Sequence, residues 1–67
     1  MIISKTEKEI FKHALYNLDM LEFAISRHGI NNDISKMYRH KYNALTAIIH
    51  DIGLSIEYHK WLKEMKE

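Results

Sequence analysis

Apolar residues recur at helical spacing along almost the whole chain, and no proline and only two glycines interrupt them. A pattern with a period near ~100° per residue selects helices over strands, so the glycines and the Asn and Asp clusters must mark the turns. The chain therefore reads as one small all-α domain over residues 1–67, an antiparallel helical hairpin with a shorter third helix, at about 6–28, 33–52 and 54–66.

The first helix starts near Thr6-Glu7-Lys8-Glu9, which has the form of a capping box, as does Ser4-Lys5-Thr6-Glu7 two residues earlier. Ile10, Phe11, Ala14, Leu15, Leu18, Leu21 and Ile25 fall on one stripe and predict its core face. Gly29 is the expected C′ residue, with Ile30 placed to touch Ile25 in a Schellman motif. Asn31-Asn32-Asp33 supplies a short turn and a fresh N-cap, which makes the second helix an antiparallel neighbour. That helix carries Ile34, Met37, Tyr38, Tyr42, Leu45, Ile48, Ile49 and Ile52, expected to face the first helix. Past Gly53 the apolar set shifts phase to Leu54, Tyr58, Trp61, Leu62 and Met65, so Gly53 is read as a break rather than the middle of one long helix.

At 67 residues a lone core is marginal, because only about 60% of the unfolded surface is buried at this size. The absence of cysteine removes disulfides and thiolate metal sites, which leaves self-association as the expected stabiliser, in a dimeric helical bundle. Ten Lys and Arg against nine Asp and Glu give +1, neither a basic field for phosphates nor an acidic mimic of them. No apolar run approaches the roughly 18 residues that cross a bilayer, and Met1 to Lys5 lack the pattern of a signal peptide. A soluble, cytoplasmic protein with no membrane partner is the expectation.

Catalytic and cofactor chemistry finds little to work with. The five histidines, His13, His28, His40, His50 and His59, have no i, i+3 or i, i+4 pairing, and no HExxH occurs, so no metal is expected. There is no nucleophile beside a base and no Gly-rich phosphate loop, so neither enzyme activity nor a cofactor is expected. Glu22 falls within the apolar stripe of the first helix; it would be paired with Lys41, or lie at a wet helix edge, the reading favoured here.

Tyr16, Met20 and Phe23 form a second apolar set on the first helix, away from the main stripe. Either the third helix folds back over them or they meet another protein. Together with a second face of Tyr58, Trp61 and Met65 they are the expected partner-binding residues. The function this implies is a non-enzymatic binding protein, a homodimer that also contacts another protein, in the manner of small regulators and inhibitors encoded by phage and mobile elements. A purely structural assembly subunit is an alternative.

A second alternative comes from Ile48-Ile49-His50-Asp51-Ile52-Gly53-Leu54-Ser55, which resembles the turn of a helix-turn-helix. The resemblance covers about 20 residues and implies a DNA-binding regulator whose recognition helix starts at Ser55, with Glu57, His59 and Lys60 near the groove and Leu62 in the core. Ile49, Ile56 and His59 depart from the small, polar and aliphatic residues usual at their positions. Lys36, Arg39 and His40, interleaved with Tyr38 and Tyr42, are the other candidate nucleic-acid contacts, in second place behind a protein partner.

Overall fold

A computed structural model describes residues 5–66. Among them the chain forms α1 (Lys5–His28), α2 (Asp33–Asp51) and α3 (Ser55–Lys66), with no strand. Thr6 lies inside α1 rather than capping it. Ser4 and the stretch Met1 to Ser4 lie outside the described residues.

The two glycines end their helices in different ways. Gly29, at φ +87°, donates its N–H to the Ile25 carbonyl at 2.9 Å, the αL closure, and Ile30 is left 54% exposed. The Schellman geometry expected there occurs instead at Gly53, at φ +78°. Leu54 N–H reaches the Ile49 carbonyl at 2.9 Å and Gly53 N–H the His50 carbonyl at 3.0 Å. The apolar pair that accompanies such a closure is Ile49 and Leu54, both buried in the core. The Leu54 carbonyl then accepts the Tyr58 N–H at 2.8 Å, so one residue both closes α2 and opens α3.

At the hairpin tip, the Asn32 side chain accepts the Ile34 N–H at 2.9 Å and caps α2. Ser35, 1% exposed, donates its hydroxyl to the Gly29 carbonyl at 2.8 Å. The Gly29 carbonyl also accepts the Asn32 N–H at 3.3 Å, so the Ser35 hydroxyl is its second donor and ties the first turn of α2 to the end of α1.

Phe11, Ala14, Ile49, Leu54 and Tyr58 make the core, flanked by Ile10, Tyr42, Leu45, Trp61 and Leu62. The Phe11 ring lies 5.3 Å from that of Tyr58 and 5.6 Å from that of Trp61. Further along both helices, the Lys66 ammonium reaches Asp19 at 3.4 Å and Glu22 at 3.1 Å. Contacts that advance together along α1 and α3 show the two helices running in the same sense. Twelve residues of α3 span about 18 Å, half the ~36 Å of α1, so the third helix covers only part of the hairpin.

Candidate functional site

α3 does not fold over Tyr16, Met20 and Phe23. It seats on the Phe11 side of α1 and ends at Asp19 and Glu22, about a quarter turn around the axis from the Tyr16 set. Tyr16 is 58% exposed and Phe23 54%, with Met20 half-buried between them. The Arg27 guanidinium lies 5.1 Å over the Phe23 ring, a cation resting on an exposed aromatic.

Tyr58, Trp61 and Met65 do not form a second outer face. Tyr58 is 1% exposed at the centre of the core, and Trp61 is half-buried against Phe11. Only Met65 is open, because α3 has nearly run past its support by that point. Sequence periodicity groups these three correctly on one stripe, but the stripe faces inward.

α2 holds the surface that periodicity misassigned. Of the eight apolar residues expected to face α1, Ile49 is buried and Tyr38, Tyr42 and Leu45 are half-buried. Ile34, Met37, Ile48 and Ile52 are exposed, at 43–49%. At 3.6 residues per turn these four lie about a quarter turn from Tyr42 and Ile49. The eight residues span too wide an arc for α1 and α3 to cover, and that width was the readable sign of an outer surface. Ile56, at the start of α3, is more exposed still.

Glu22 lies where the favoured reading put it, and the alternative pairing with Lys41 is not formed. Glu22 is at a wet edge and pairs with Lys66; the Lys41 ammonium instead sits 5.7 Å over the Tyr38 ring. Hydrogen bonding to Glu22 raises the Lys66 pKa, with Asp19 adding to it. Burial pushes the Tyr58 phenol well above the usual tyrosine range, and its hydrogen bond with Tyr42 adds to the shift.

The candidate nucleic-acid contacts are not gathered into one patch. Lys36 and His40 are exposed and Arg39 half-buried in the first half of α2. α3 packs near Tyr42, Leu45 and Ile49 in the second half; there His59 and Lys60 are exposed and Glu57 is half-buried. The aliphatic anchoring role expected near His59 is taken by Tyr58, and Leu62 packs beside the core. Among the described residues no group of three or more His, Cys, Asp or Glu is placed to hold a metal ion, and no helix is long and apolar enough to cross a membrane.

The surface thus offers apolar side chains in two lanes, one on α1 and one on α2, with cations lying on or beside aromatic rings. Comparison of the chain with family models, with curated proteins and with solved structures returned no match.

Proposed function

We propose that this chain is a non-enzymatic helical binding protein that acts by occupying a surface on another protein, as small regulators and inhibitors do. The observation that carries the reading is the exposure of Tyr16, Phe23, Ile34, Met37, Ile48 and Ile52, each more than two-fifths open to solvent. Single exposed apolar residues are ordinary, but lanes of them along two helices mark a contact surface. Tyr, Phe and Met suit this use because they supply large contact area and repack readily. A second copy of the chain falls within the same reading, as the homodimer the small core would favour.

The test combines solution mass with partner capture. The full chain should associate, with itself or with a stoichiometric protein, and Phe23→Ser or Ile48→Asp should abolish that association while circular dichroism stays helical. A chain that remains alone under all conditions, or variants that associate like the parent, would refute it.

One observation favours a second reading as a DNA-binding regulator: the break at Gly53 is formed, and α3 begins two residues later with Lys60 exposed. Phosphate binding would weaken steeply with salt, whereas apolar association would hardly change.

A further inference from the structure

We draw no further inference here: the strongest candidate, the exposed apolar face of α2 formed by Ile34, Met37, Ile48 and Ile52 around Lys41, carries nothing beyond the binding reading above, because one lysine does not name an occupant and nothing in the structure shows what covers it.

Discussion

The hydroxyls of Tyr42 and Tyr58 lie 3.2 Å apart, a side-chain hydrogen bond that ties the second helix to the third inside the packed region. Tyr58 also packs its ring against Phe11, so one side chain holds α3 to both helices of the hairpin. Tyr58→Phe keeps the ring and removes the bond. It should cost about 1 kcal/mol, because half-buried Tyr42 can turn its hydroxyl to water. Tyr58→Ala removes the ring as well and should cost about 3–5 kcal/mol, a large part of the stability of a domain this small. Urea denaturation of both variants measures the difference.

The same phenol makes the fold sensitive to base. Burial raises the Tyr58 pKa in the folded state above the ordinary tyrosine value of 10.0, so the unfolded chain gives up this proton first. Stability from this group is whole below about pH 10 and falls as pH rises from there toward the folded-state value, because the unfolded state then binds fewer protons. Urea midpoints should begin to drop near pH 10 and go on falling above it, and the drop should be smaller in Tyr58→Phe. An identical slope in the two proteins would show that Tyr58 is not the group responsible.

Gly53 has open space where a Cβ would stand, so the cost of a substitution there is set by the backbone alone. At φ +78° an L side chain is strained, and Gly53→Ala should destabilise by about 1–2 kcal/mol. Gly53→Asn should cost less, since Asn tolerates the left-handed region. Thermal melts followed by circular dichroism separate the two variants.

How much of this was legible in the sequence follows from which signals are local. The breaks at Gly29 and Gly53 and the cap at Asn32 depend on a few adjacent residues, and the helix bounds come out within a residue of the structure. Which glycine carries the Schellman closure was not legible, because it depends on whether the following residue reaches the core. Leu54 does; Ile30 does not. The direction in which α3 packs is likewise a tertiary property. Periodicity could show that Tyr58 and Trp61 share a stripe, and that Tyr16 and Phe23 share another, but only the packing against Phe11 decides which is inside. The α2 lane was legible only as a stripe too wide to bury, with Lys41 inside it; which edge stays uncovered is decided by where α1 and α3 pack.

Ser35 shows how a buried polar residue can escape notice in a sequence. Its hydroxyl is spent on the Gly29 carbonyl at the hairpin tip. Ser35→Ala leaves that carbonyl with the Asn32 N–H alone and should lower stability by about 1 kcal/mol. Hydrogen exchange should register the loss first in the amides of residues 29–36. Unchanged protection there would show that water replaces the hydroxyl without cost.

Substitutions in the exposed lanes should behave in the opposite way. Ile34→Ser, Met37→Ser and Phe23→Ser remove side chains that are 43–54% exposed, and each should change stability by no more than about 0.5 kcal/mol. Losses of several kcal/mol would place these residues in the core and remove the surface they are assigned to.

Sedimentation velocity of the full chain, run over a range of concentrations and with the protein it captures, in parallel for the parent and Ile48→Asp, tests the binding surface most directly. The parent should sediment as a complex, with itself or with that protein, and Ile48→Asp should sediment alone with its helical content intact. Parent and variant both sedimenting as the single chain would contradict the assignment of the exposed lanes as a contact surface.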